Sequence, residues 1–370
     1  MGTKVKRAVV KVGTSTLTDE NGHIDRPYLT SLASQIATLR HNGIDVVLVT
    51  SGAIRAGMER MGLRERPRTM PEQQAAAAVG QGLLMQMYSE IFEWHGVTTG
   101  QVLLTREDFG SRKRYLNARN TMLTLLRYGV VPIVNENDTV AVDEIRLGDN
   151  DNLAALVASS LGADMLILLT DVPGLCESHP ESGDELRVIP VVERITERIR
   201  SIAGEARGDA GTGGMRTKIE AAEIAMRSGV TMVIANGRQP DVILDVIAGK
   251  RIGTTFLPSK DSLSGRKRWI AFGASARGGI VINEGAKRML CEEGKSLLAA
   301  GITDVIGDFS AGDLVKVLDP EGNQLARGFV NYSASEVQRI KGLHSSEIER
   351  VLGYKDFDEV IHRDNMVLGA

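Results

Sequence analysis

Four times in the first 230 residues a glycine closes a helix-like stretch immediately before an apolar, β-branched run: Gly96, Gly129, Gly162 and Gly229. Glycine tolerates the left-handed backbone that ends a helix abruptly, so this repeated punctuation makes helix and strand alternate. The apolar runs at 8–12, 45–50, 99–104, 130–134, 165–170 and 231–235 are nearly continuous rather than alternating. Parallel strands covered by helices on both faces have that character. Helical patterns at 27–41, 71–94, 152–161 and 215–227 occupy the intervals between them. The fold class expected is α/β, a three-layer αβα sandwich with a mainly parallel central sheet, followed by a small β-rich C-terminal domain.

The second domain is inferred from a change of texture. Between Phe256 and Arg268 the segment LPSKDSLSGRKR loses periodicity and gains Pro, Ser, Gly and charge, as exposed connections do. The expected division is an α/β domain over 1–258, a linker over 259–268 and a β-rich domain over 269–370. In the last of these, Asp319-Pro320-Glu321-Gly322 reads as a turn between two strand-like runs. Lys and Arg number 44 against 47 Asp and Glu, which excludes a polybasic protein that holds nucleic acid or anionic lipid by charge alone. Cys176 and Cys291 stand far apart and the six histidines form no pair at ligand spacing, so neither a disulfide framework nor a metal site is expected. The N-terminus lacks the pattern of a signal peptide and no apolar run approaches a membrane span, so a cytoplasmic protein without membrane contact is expected.

Polar clusters sit where the strands end, the edge at which open α/β sheets bind ligands. Lys11-Val12-Gly13-Thr14-Ser15 closes the first run, Thr50-Ser51-Gly52-Ala53 the second and Asn135-Glu136-Asn137-Asp138 the fourth. Gly148-Asp149-Asn150-Asp151-Asn152 opens a helix, Thr170-Asp171 ends a strand, and Gly211-Thr212-Gly213-Gly214-Met215 with Lys218 opens another helix. Glycine-flanked helix starts offer backbone N–H groups, and a lysine beside them completes the type of site that phosphates occupy. The P-loop does not account for them, because Gly294-Lys295-Ser296 has Met289 where the first glycine belongs. Nor does the dinucleotide fingerprint, which would need a third glycine at Arg216.

In this order and spacing KVGTSTL, VTSGAI, NENDTVA, GDNDNLAALVA, LTDVPGL and GTGGMRTK resemble the amino-acid-kinase family, in the branch whose acceptor is free L-glutamate. The tail, with RKRWIAFG, GGIVINEGA and HRDNM, resembles the PUA domain attached to many bacterial members. The resemblance covers the whole chain. It departs at Pro173 and Cys176, in the segment expected beside adenine, and at Arg216, which is expected to point outward from its helix.

The resemblance implies transfer of the γ-phosphoryl of ATP, with Mg²⁺ on its phosphates, to the side-chain carboxylate of L-glutamate, the first step of proline biosynthesis. It implies three catalytic residues: Lys11 on the transferring phosphoryl, Lys218 on the ATP phosphates, and Asp151 holding both ammonium groups. Ser51, Asp138 and Asn150 are implied for the substrate. Lys11, Thr170, Asp171, Thr212, Gly213, Gly214, Met215, Arg216, Thr217 and Lys218 are implied for ATP. A homo-oligomer (dimer or tetramer), feedback inhibition by proline and a glutamyl-phosphate reductase as partner follow from the same resemblance. Two other readings remain: an amino-acid kinase acting on aspartate or N-acetylglutamate, and an RNA-binding regulator on a kinase-like scaffold. From Lys267 onward the tail has 13 Lys and Arg against 15 Asp and Glu, which offers little to a phosphate backbone. An assembly or regulatory role is expected of it.

Overall fold

Strand β1 (Arg7–Val12) runs through the middle of the sheet, and its neighbours decide where everything else lies. In this computed structural model residues 5–140, 150–177, 187–204, 214–259, 270 and 276–369 are described. The chain divides into two units, Met1–Ser262 and Leu263–Ala370.

The first unit continues from β1 through α1 (Thr14–Leu17), α2 (Arg26–His41), β2 (Asp45–Val49), α3 (Ala53–Met61), α4 (Met70–Trp94) and β3 (Thr99–Leu104). Then come α5 (Arg106–Gly110), α6 (Arg112–Arg127), β4 (Val131–Glu136), α7 (Asn150–Leu161), β5 (Met165–Thr170) and β6 (Val191–Val192). Helices α8 (Glu197–Gly204) and α9 (Met215–Arg227), strand β7 (Thr231–Asn236), α10 (Val242–Ile247) and β8 (Thr254–Phe256) complete it. Among the described residues eight strands form one sheet in the order β3-β4-β2-β1-β5-β7-β8-β6. The six strands from β3 to β7 are parallel to one another, and β8 pairs antiparallel with β7 at the edge. The expected α/β class and mainly parallel sheet are both present. The glycines foreseen as helix terminators do adopt left-handed backbone, with φ of 68° at Gly96, 79° at Gly129, 59° at Gly162 and 74° at Gly229.

Alternation along β1 places the chemistry. Val10 and Val12 pack into the core built with α2, α4 and α10. A strand's period of two therefore turns Lys11 to the opposite face, where α7 lies. Helices α3 and α4 approach unusually closely. A Cβ built on Gly57 would lie 1.8 Å from the Ala76 carbonyl oxygen, and one on Gly80 would lie 1.8 Å from the Ala53 carbonyl oxygen. The two glycines thus bring backbone against backbone and seat α4 directly over the start of α3.

The second unit contains β9 (Gly278–Ile282), α11 (Glu284–Cys291), β10 (Ile302–Gly307), β11 (Leu314–Leu318), β12 (Gln324–Phe329), α12 (Ala334–Ile340), α13 (Ile348–Leu352) and β13 (Met366–Leu368). Its described strands form a separate sheet ordered β10-β9-β11-β12-β13 around its own apolar core. The turn read at Asp319–Gly322 joins β11 to β12 as an antiparallel hairpin, with Gly322 at φ 86° and the Asp319 carboxylate accepting from the Asn323 N–H at 2.8 Å. The expected linker lies outside the described residues except for Ser259, whose N–H donates to the Met226 carbonyl at 2.9 Å.

Gly80→Ala should destabilise the chain by about 1–3 kcal/mol, since the methyl meets backbone that can move only by parting two helices. Gly82→Ala, two residues along in open space, should instead stabilise by about 0.5–1 kcal/mol. Denaturant unfolding of both variants measures this, and equal effects would mean that the close approach of α3 and α4 is not what fixes Gly80.

Candidate active site

At the carboxyl ends of the parallel strands, β1 separates two groups of polar side chains. It is the strand from which the sheet grows in both directions, through β2 on one side and β5 on the other. That is a topological switch point, where such sheets leave a crevice.

The charged group is centred on Asp151. This residue stands in the first turn of α7 with no exposed surface. Lys11, from β1, places its Nζ 2.6 Å from Asp151 Oδ1, and Lys218, from α9, places its Nζ 3.1 Å from Oδ2. Both lysines are buried. The Thr217 hydroxyl also reaches Asp151 Oδ2, at 3.2 Å, and lies 2.9 Å from the Gly214 carbonyl oxygen. Two cations on one carboxylate give the trio a formal charge of +1. An anion of phosphoryl type matches that sign, and oriented buried donors act on it more strongly than they would in water.

The second group is a chain of amides and hydroxyls. Asn150 Nδ2 donates to the Thr50 carbonyl at 2.6 Å and also lies 2.9 Å from both Ser51 Oγ and Asn135 Oδ1. Asn135 Nδ2 donates to Gln81 Oε1 on α4 at 2.8 Å. About two helical turns further along α4, the Tyr88 hydroxyl sits 2.8 Å from Thr50 Oγ1. Burial raises the Tyr88 phenol well above its ordinary pKa, although the bond to Thr50 works the other way, so it remains a neutral hydrogen-bonding group. Gly52, with φ 93°, turns the chain from the end of β2 into α3.

The residues singled out in the sequence fall as follows. Lys11, Asp151 and Lys218 meet; Ser51 and Asn150 meet. Asp138 lies half-buried in the turn after β4. Thr170 is buried at the end of β5, where its hydroxyl donates to Asp171 Oδ1 at 3.0 Å, and Asp171 is exposed. Gly214 and Met215 form the start of α9. Arg216 is 82% exposed and pairs with Glu220 along its own helix at 3.2 Å. Gly148, Asp149, Thr212 and Gly213 lie outside the described residues. Among the described residues no group of three His, Cys, Asp or Glu side chains is arranged to hold a metal, and no helix is long and apolar enough to cross a membrane.

Gln81 and Tyr88 went unnoticed in the sequence. A signal was available: Ala77, Leu84 and Tyr88 form the buried stripe of α4, and Gln81 lies on it at i+4, i−3 and i−7. A glutamine there interrupts an otherwise apolar face and marks a buried polar contact.

The model of the Amino acid kinase family matches residues 6–236, and that of the PUA domain matches residues 278–352. A protein named Glutamate 5-kinase from Thermoanaerobacter sp. (strain X514) is 53% identical over 362 residues, covering 98% of this chain and 97% of its own. One of the same name from Moorella thermoacetica is 51% identical over 365 residues, covering 99% and 97%. Among solved structures, carbamate kinase from Giardia lamblia bound to AMP-PNP aligns with a TM-score of 0.50 at 19% identity, over 69% of this chain and 99% of that one. That likeness concerns the fold.

Asp151→Ala should cost about 3–5 kcal/mol of stability, because it leaves two buried ammonium groups without their shared carboxylate. Thr217→Val should cost far less, about 1 kcal/mol, since it removes one hydroxyl from the same oxygen. Thermal and denaturant unfolding of the two variants gives the comparison; a loss at Asp151 no larger than at Thr217 would contradict the account of the buried trio.

Proposed function

The chain belongs to the amino acid kinase family, with a PUA domain toward its C-terminus, and on that premise we propose that it phosphorylates the side-chain carboxylate of L-glutamate with ATP. The products are L-glutamyl 5-phosphate and ADP, and the reaction opens proline biosynthesis. The observation that carries the reading is the meeting of Lys11 and Lys218 on the buried carboxylate of Asp151, in a chain similar along nearly its whole length to proteins named Glutamate 5-kinase.

Chemistry follows from the acceptor. A carboxylate with a pKa of about 4.3 is ionised at neutral pH, so no base is needed to activate it. One carboxylate oxygen attacks the γ-phosphorus as the bond to the bridging oxygen breaks, and the electron pair of that bond leaves on ADP. The obstacle is bringing two anions together while charge spreads over the moving phosphoryl group, which makes catalysis a matter of positioning and charge. Lys11 acts on the transferring phosphoryl and Lys218 on the nucleotide phosphates. Asp151 keeps the two ammonium groups in place without accepting a proton from the substrate. Ser51, Asp138 and Asn150 hold glutamate. Thr170, Asp171 and the start of α9 from Gly214 to Thr217 hold ATP, together with Thr212 and Gly213. Mg²⁺ would be carried on the ATP phosphates, where it would neutralise part of their charge.

The same reading includes a homo-oligomer in the cytoplasm, L-proline as feedback inhibitor, and a reductase as consumer of the product. An acyl phosphate hydrolyses readily, so a step that removes it promptly is a chemical requirement.

Purified protein with Mg-ATP should yield a hydroxamate from L-glutamate in the presence of hydroxylamine, and none from aspartate or N-acetylglutamate. Product from another acceptor alone would replace the substrate, and no turnover with any would remove the enzyme reading. Lys11→Ala should lower kcat by about 10²–10³-fold, the range for loss of a group that stabilises transition-state charge, with little change in the glutamate KM. An unchanged kcat would take Lys11 out of the mechanism.

A further inference from the structure

Resting on the reading of this crevice as an amino-acid site, the amide chain beside Asp151 has one direction of hydrogen bonding, which holds as long as each donor keeps its acceptor. Asn135 Oδ1 accepts the Glu136 backbone N–H at 2.9 Å, which identifies it as the oxygen and commits Asn135 Nδ2 to Gln81 Oε1 at 2.8 Å. Asn150 donates to the backbone carbonyl of Thr50, which likewise fixes its nitrogen. Backbone groups at the ends of β2 and β4 therefore set the direction of the chain, and Gln81 Oε1 completes it by taking the Asn135 donor. Two atoms are left over: Asn150 Oδ1 and Gln81 Nε2 are buried and have no hydrogen-bond partner among the described residues.

We infer that Gln81 is a positioning residue of the amino-acid site, which acts through its Oε1 by occupying the Asn135 donor and so keeping the Asn150 carbonyl oxygen oriented for the ammonium group of the acceptor. An amino acid presents an α-ammonium that requires acceptors, and Asn150 Oδ1 is an acceptor held ready on a rigid support. Asn135 is only 2% exposed, so without Gln81 its Nδ2 becomes an unsatisfied buried donor. The nearby Asn150 Oδ1 is then the acceptor that can relieve it, and the two amides turn toward each other at the expense of the substrate. The close packing of α3 and α4 at Gly57 and Gly80 holds Gln81, the residue after Gly80, within reach of the strand ends.

The test compares Gln81→Leu, which removes the acceptor, with Gln81→Glu, which keeps an acceptor for Asn135 but loses the amide N–H groups. The glutamate-dependent hydroxamate assay gives the glutamate KM, the ATP KM and kcat, and thermal unfolding reports folding. Gln81→Leu should raise the glutamate KM about tenfold, the factor for one charge-assisted hydrogen bond, with the ATP KM within about twofold of wild type. Gln81→Glu should return the glutamate KM to within about threefold of wild type. An unchanged glutamate KM in Gln81→Leu, or a parallel rise of both KM values, overturns the proposal. So does a Gln81→Glu variant worse than Gln81→Leu, which would mean that Nε2 itself touches a substrate carboxylate. Wild-type protein inactive toward glutamate would instead overturn the functional reading beneath it, and the proposal with it.

Discussion

A carboxylate with no exposed surface, shared by two lysines from distant parts of the chain, sets the terms for the rest of the catalytic unit. Taking charges out of water is costly, and the attraction between them repays the cost only when the geometry is good. Asp151, Lys11 and Lys218 satisfy this because β1, α7 and α9 each present one member at fixed height. Lys11 comes from the central strand, flanked by β2 and β5, where backbone displacement is most restrained. Asp151 and Lys218 come from adjoining helices, with Thr217 supplying another hydrogen bond one residue before Lys218. The trio is therefore better understood as a preorganised charge distribution than as a source of stability. Apolar residues at the same places would pack at less cost.

The uncharged half of the crevice depends on a different constraint, steric rather than electrostatic. Only glycine at positions 57 and 80 permits the backbone contact between α3 and α4. That contact lets one helix, α4, touch the strand ends twice, through Gln81 on Asn135 and through Tyr88 on Thr50. Groups from α4, from Thr50 and Ser51 just after β2, from β4 and from α7 then form a hydrogen-bonded series that passes through the Thr50 backbone carbonyl. Loosening α4 would disturb the amides before it disturbed the lysines, which belong to the other face of the sheet.

Much of this was legible in the sequence because it is written in local terms. Helix-closing glycines and continuous apolar runs identified the six parallel strands and the class of fold. Other elements escaped for physical reasons. Helix α6 begins with RKRYLNARN, too polar to display an apolar stripe, and α3 is short and contains the glycine that its contact with α4 requires. Strand β8 has three residues and takes its place only by pairing with the edge of β7. In the site, Lys11 was conspicuous as a charge inside a strand. Its partnership with Asp151 and Lys218 came from resemblance, since residues so far apart in the chain meet only through the topology of the sheet. Gln81 was hidden because it is one of four glutamines in an Ala- and Met-rich helix and looks like a solvated position until its phase against Leu84 and Tyr88 is considered.

The division of the crevice into a charged and a largely neutral half has its own logic. An amino-acid acceptor with two carboxylates can enter a cationic site in either direction, and only one direction brings the side-chain carboxylate to the phosphoryl group. Lysines on both sides would attract either end equally. Amides and hydroxyls recognise the zwitterionic end by direction of hydrogen bonding, with oxygens for the ammonium and N–H groups for the carboxylate, and add no net charge. Lys11 and Lys218 are the buried cations among the described residues, so on the proposed reading the side-chain carboxylate of the substrate has one favourable destination. A lysine placed within the amide series would therefore damage orientation more than affinity, because it would hold glutamate firmly with the wrong carboxylate toward ATP.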